Sequence, residues 1–295
     1  MFTCSKRLVL AILVLGCCAV ARAQSPTAAD APSVENQPSD ASGKPVGRAI
    51  TLSDFGAEDI GFLAIPNTPP TVGVVLVPDS YGLDDFTKRE AERLAGEGYL
   101  AVAVDIYNGR TPTDPGQIAN MVENLDGPTV MKTVIAGVRL FHESPKFTVP
   151  HVVMVGWGTG AKYVWQAAHE ENNAPDGAIM FYGPVQTGEV RRCPVPICAL
   201  YSDRDPAVPR SSVLDFQHAM RNAGSDFTAW LIAAGPGWSN PQSRNYSPVE
   251  DREAWKVAEP FIIRIGAEPV KKRGGVVDKV KDSVKNLFDE LKKGG

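Results

Sequence analysis

The chain has 295 residues, 43 % of them hydrophobic and 22 % charged, which is enough to bury the core of one large domain. Its net charge of −4 and pI near 5.7 leave no basic footprint, which argues against a nucleic-acid partner. Residues 1–23 have the layout of a cleaved secretory signal: Lys6 and Arg7, an apolar run over 8–20, and the small-residue pattern Ala21-Arg22-Ala23 before Gln24. That run is shorter than the roughly 20 residues a membrane-spanning helix needs. The expectation is an exported protein, periplasmic or secreted.

A second reading of the same segment is Val14-Leu15-Gly16-Cys17, which resembles a lipoprotein processing box; attachment to a membrane then depends on lipid at Cys17. Residues 24–47 are rich in Ala, Ser, Pro, Asp and Gln without apolar periodicity, and are expected to form a flexible tether. Export would leave Cys193 and Cys198 in the mature chain. A strand through Cys198 would stretch their spacing beyond disulfide reach, so two buried free thiols are expected.

From residue 48 to 266 the pattern is that of one domain. Apolar runs at 73–77, 100–104, 152–155, 178–182, 195–201 and 227–232 mostly lack polar alternation, as strands buried on both faces of a parallel sheet do. Helical periodicity falls between them, at 85–95, 129–142, 160–170, 211–223 and 250–265. The order predicts a mostly parallel, doubly wound α/β sheet, whose ligands belong beyond the carboxyl ends of the strands. Asp79, Asp105, Asp203 and Asp205 all lie in loops that follow such strands.

The third run leads into Gly156-Trp157-Gly158-Thr159-Gly160 and then a helical pattern with Ala161, Val164, Trp165 and Ala168 on one face. Strand, glycine turn and helix in that order are the setting of a nucleophile elbow, where G-x-nucleophile-x-G lifts a reactive side chain above the sheet. The nucleophile position holds Gly158.

Several stretches together resemble the dienelactone hydrolase (carboxymethylenebutenolidase) family of α/β-hydrolases. They are Val77-Pro78-Asp79-Ser80-Tyr81-Gly82-Leu83, the helix around Arg89-Glu90-Ala91, the strand ending Val104-Asp105-Ile106-Tyr107, Phe181-Tyr182-Gly183, Tyr201-Ser202-Asp203-Arg204-Asp205-Pro206, and Ala254-Trp255. The resemblance spans about residues 60–265 and implies an α/β-hydrolase fold and a Cys, Asp, His triad. The acid of that triad matches Asp205, the nucleophile matches Gly158, and the histidine position, in Ala234-Gly235-Pro236-Gly237-Trp238, holds Pro236. Asp79 matches a family glutamate, one methylene shorter, and the amides of Ser80 and Thr159 match the oxyanion donors, with Tyr81 beside them in the cleft.

Each of these residues also has a plainer reading. Asp205 before Pro206 is an ordinary turn former, and Asp79 could cap the helix that begins near Asp84. Thr159 is the one hydroxyl within the elbow, but no base accompanies it. The four histidines, His142, His151, His169 and His218, sit at strand or helix positions rather than in the loops. No histidine and carboxylate cluster has metal-ligand spacing, and no cofactor is expected.

Two functions follow. One is an exported family member that has lost triad catalysis and binds a small carbonyl or carboxylate ligand, or a protein. The other is a working ester or lactone hydrolase with a rebuilt site. The tail, 267–295, carries Val276, Val277, Val280, Val284, Leu287, Phe288 and Leu291 at helical spacing, which predicts an amphipathic helix. Five Lys against four acidic residues within 278–293 favour a protein partner for it over an anionic membrane.

Overall fold

The computed structural model describes residues 39–58, 60–186 and 190–270. The expected signal, the first part of the expected tether and the expected tail helix lie outside them. The described end of the tether is folded back rather than loose: Asp40 accepts bonds from the amides of Ser42 and Lys44, and the Gly47 amide donates to Glu92. A Cβ at Gly47 would stand 2.1 Å from the Phe62 ring, so the chain lies on the domain surface before residue 48.

Among the described residues the sheet has eight strands, in the order β1-β2-β4-β3-β5-β6-β7-β8. These are β1 (Arg48–Thr51), β2 (Ile60–Ala64), β3 (Val72–Val77), β4 (Leu100–Val104), β5 (His151–Trp157), β6 (Gly177–Phe181), β7 (Ile197–Ser202) and β8 (Phe227–Ile232). The six strands expected from sequence are β3 to β8, all parallel. β1 and β2 add an antiparallel edge. Helices α1 (Asp85–Gly96), α2 (Pro115–Glu123), α3 (Gly127–Glu143), α4 (Thr159–Ala167), α5 (Arg210–Asn222) and α6 (Pro248–Gly266) complete the chain.

Alternate residues of each central strand enter opposite cores. Val75, Val77, Val152 and Met154 face one layer, with Val134 and Val138 of α3 and Val164 of α4. Val74, Leu76, Val153, Val155 and Trp157 face the other, with Leu94 of α1 and Ile262 of α6. Both faces are apolar because both are covered, which is why β3, β4 and β5 are buried at every position. Cys193 and Cys198 are buried free thiols.

Two devices fix the carboxyl end of the sheet. The first is Asp84, the N-cap of α1: Oδ1 accepts from the Thr87 amide and hydroxyl, and Oδ2 accepts from Asn240 Nδ2 at 3.1 Å and Gln242 Nε2 at 2.8 Å. One carboxylate thereby caps a helix and anchors the segment after β8. The second is a run of aromatic rings beneath the loops, in which Trp157 stacks on Phe181 at 5.4 Å and Phe181 meets Trp238 and Trp255 at 5.5 and 5.3 Å. Each such pair contributes about 0.5–1.5 kcal/mol beyond its buried area.

Candidate active site

Strand β5 ends in Trp157, and α4 begins at Thr159, leaving Gly158 as the single residue of the turn. Its φ of 47° and ψ of −109° give the sharp strand-to-helix reversal of an elbow, and its amide donates to the Phe181 carbonyl at 3.0 Å. L-residues rarely adopt this conformation, so glycine relieves the turn. Gly160 answers a different constraint, because a Cβ there would lie 2.3 Å from the Val77 carbonyl oxygen. This close approach brings the start of α4 against the loop after β3.

The two oxyanion amides expected from sequence do converge. They converge on Asp79. Its Oδ1 accepts the Ser80 N–H at 2.7 Å and the Thr159 N–H at 3.3 Å. The same oxygen lies 2.3 Å from the position a Cβ would take on residue 158. Asp79 therefore takes both amides and the space that a side chain at residue 158 would fill. It does not cap α1, a role taken by Asp84 five residues on. Burial raises the Asp79 carboxyl above the usual carboxylate range, and the Ser80 and Thr159 amides and the Ser80 hydroxyl pull it partly back.

The remaining expected residues lie in neighbouring loops, and the Arg204 N–H donates to the Ala234 carbonyl at 3.1 Å, joining the loop of Asp205 to the segment of Pro236. Asp205 Oδ1 accepts the Ala207 amide at 2.8 Å, closing a turn on itself. Pro236 is half-buried and offers neither an imidazole nitrogen nor an N–H; its carbonyl accepts Asn245 Nδ2 at 2.8 Å. Tyr81, on the loop after Ser80, has its hydroxyl raised by burial and by the charges of Asp79 and Asp84. None of the four histidines comes from a carboxyl-end loop: His142 and His218 are in α3 and α5, His151 starts β5, and His169 Nδ1 lies 2.9 Å from the Trp165 carbonyl.

Two residues beside the elbow entered the sequence reading only within the stretches that carry the resemblance, not as site residues. Tyr107, after β4, and Tyr182, after β6, are 2 % and 7 % exposed, and neither hydroxyl has a hydrogen-bond partner. Burial and the charge of Asp79 push Tyr107 up to about 12 and Tyr182 well above the phenol range. Tyr182 also holds φ at 39°, a conformation that costs a non-glycine residue about 1–3 kcal/mol and that concentrates at functional sites. In the sheet order β4-β3-β5-β6 these tyrosines flank Asp79 and Gly158 on either side. A groove of about 660 Å³ adjoins Tyr107 on the α3 side, lined by Arg110, Asn120, Met121 and Thr129 among others, and receives no residue of the elbow. Among the described residues no group of three or more His, Cys, Asp or Glu could hold a metal ion.

The sequence pattern of the dienelactone hydrolase family matches residues 60–265. The chain belongs to this family. A Saccharolobus solfataricus protein named "Putative carboxymethylenebutenolidase" is 24 % identical over 258 residues, covering 74 % of this chain and 98 % of that protein. A protein of the same name from Escherichia coli K12 is 25 % identical, covering 72 % and 89 %. Among solved structures, a dienelactone hydrolase-like promiscuous phosphotriesterase from metagenomic libraries superposes with a TM-score of 0.66 at 18 % identity, covering 76 % of this chain and 99 % of that one. Such identities carry the α/β-hydrolase fold. The dienelactone hydrolase frame is thus present in this chain, with Gly158 in the turn between β5 and α4 and Pro236 in the segment after β8.

Proposed function

We propose that this chain is an exported dienelactone hydrolase-like protein that acts by binding a small carbonyl or carboxylate ligand, or a protein, without triad hydrolysis. The observation that carries this reading is the Asp79 carboxyl, which occupies the nucleophile's place and both oxyanion amides at once. Gly158 and Pro236 support it independently, since loss of a triad nucleophile or histidine alone costs about 10⁶ in turnover. Restoring Cys at 158 leaves the thiol without a base to lower its pKa and drives it into Asp79. Export rests on the pattern of residues 1–23; a mature amino terminus at Gln24 supports the secretory reading, and lipid at Cys17 supports the lipoprotein one.

The competing reading is an ester or lactone hydrolase rebuilt around Thr159, the hydroxyl nearest the elbow. The deciding experiment assays the purified protein on activated aryl esters and a dienelactone, beside Asp205→Ala and Thr159→Val. Binding without catalysis gives no saturable turnover above the buffer rate. Turnover abolished by either substitution establishes the rebuilt hydrolase instead.

A further inference from the structure

The amide pair of the elbow already holds a carboxyl group, and the protein supplies it. One donor, Thr159 N–H, opens a nine-residue helix whose N-terminal end favours negative charge, and Ser80 N–H adds a second from the loop opposite. Asp79 is half-buried and sits in a loop, so its side chain can turn without unfolding a strand. Tyr107 and Tyr182, on either side, each carry a buried hydroxyl with no partner. A buried hydroxyl left unpaired costs about 1–3 kcal/mol, so each stands ready to donate to an acceptor that moves toward it.

We propose that Asp79 is a displaceable plug, and that the hole it fills is a receptor for the carboxylate of a small organic acid, which enters as Asp79 turns out toward the Tyr107 or Tyr182 hydroxyl. This rests on the reading of the cleft as a binding site and names its ligand class. Recognition comes from two backbone N–H groups rather than from a cationic side chain. Gly158 is the residue that makes the arrangement possible, because any Cβ there would stand against the carboxyl oxygen at 2.3 Å.

The test uses the full chain and Asp79→Gly, melted in increasing sodium formate with sodium chloride as the ionic-strength control. Asp79→Gly should melt below the parent and regain most of the loss saturably in formate and not in chloride, while the parent shifts little over the same range. The double variant Asp79→Gly with Gly158→Ala should gain nothing, since the alanine methyl takes the vacated place. Should Asp79→Gly fail to fold, Asp79→Asn carries the test. Its neutral amide oxygen is the weaker acceptor for the two N–H groups, so formate should half-saturate it at a concentration about tenfold lower than the parent needs. No formate response in the variant that folds, an equal response in the parent, or a response that survives Gly158→Ala overturns the plug. Ester turnover by the parent overturns the binding reading instead, and the formate titration reads separately from it.

Discussion

At the elbow, residue 158 and the Asp79 carboxyl compete for one volume. A side chain at 158 must displace an oxygen 2.3 Å from its Cβ and must also adopt φ near 47°. Gly158→Ala should therefore destabilise the protein by about 1–3 kcal/mol, part backbone strain and part collision. In an Asp79→Ala background the collision disappears and only the strain remains. A double-mutant cycle by urea unfolding should then return a coupling of about 1 kcal/mol between the two sites, within the range of residues in contact. Additive effects would mean that Asp79 does not sit where Gly158 leaves room. The turn at Gly158 was legible from sequence because it falls at a fixed offset between an apolar run and a helical pattern. The destination of the Asp79 side chain was not, because it depends on a side-chain orientation and on contact between loops 80 residues apart.

The elements around the cleft are held by buried carboxyl groups, and two of these make separate predictions. Asp84 satisfies the first turn of α1 and the side-chain amides of Asn240 and Gln242. Asp84→Ala removes a cap and strands buried donors, for a loss of about 2–4 kcal/mol in chemical denaturation. Loss near 0.5 kcal/mol would assign it to an ordinary surface cap. Glu90, in the middle of α1, is pushed up to about 7 by burial, although Arg93 lies 2.9 Å away and opposes the shift. The unfolded carboxyl titrates near 4.5, so between these values the folded state holds the proton more tightly. Stability is then greatest below about pH 4.5 as far as this group is concerned, and falls as pH rises through 7, by at most roughly 3 kcal/mol. Asp251, also raised by burial, acts in the same direction. Glu90→Gln should flatten most of the decline in melting temperature between pH 5 and pH 8, and an unchanged decline would place its origin elsewhere.

For the whole molecule, the six parallel strands and five of the six helices were legible because each buries a continuous run or a periodic face. β1, β2 and α2 were not. β1 is largely exposed at the sheet edge, the apolar run of β2 is interrupted by Gly61, and α2 buries none of its residues. The chain beyond α6 is a different matter, since its apolar positions from Val276 to Leu291 lie outside the described residues. Under the proposal that they form a partner-binding helix, truncation after Ile265 should change oligomeric state, partner capture or melting temperature. Identical behaviour of the truncated and full chains would remove that role.

The proposal that this chain has no working nucleophile can be tested without any assumption about substrate. The full chain is incubated with an excess of an activated aryl phosphonate, and its intact mass is followed over time. With Asp79 filling the space beside Gly158 and no histidine among the carboxyl-end loops, the proposal predicts an unmodified mass. A stoichiometric phosphonyl adduct on Thr159 or Ser80 would contradict this and establish a rebuilt catalytic centre.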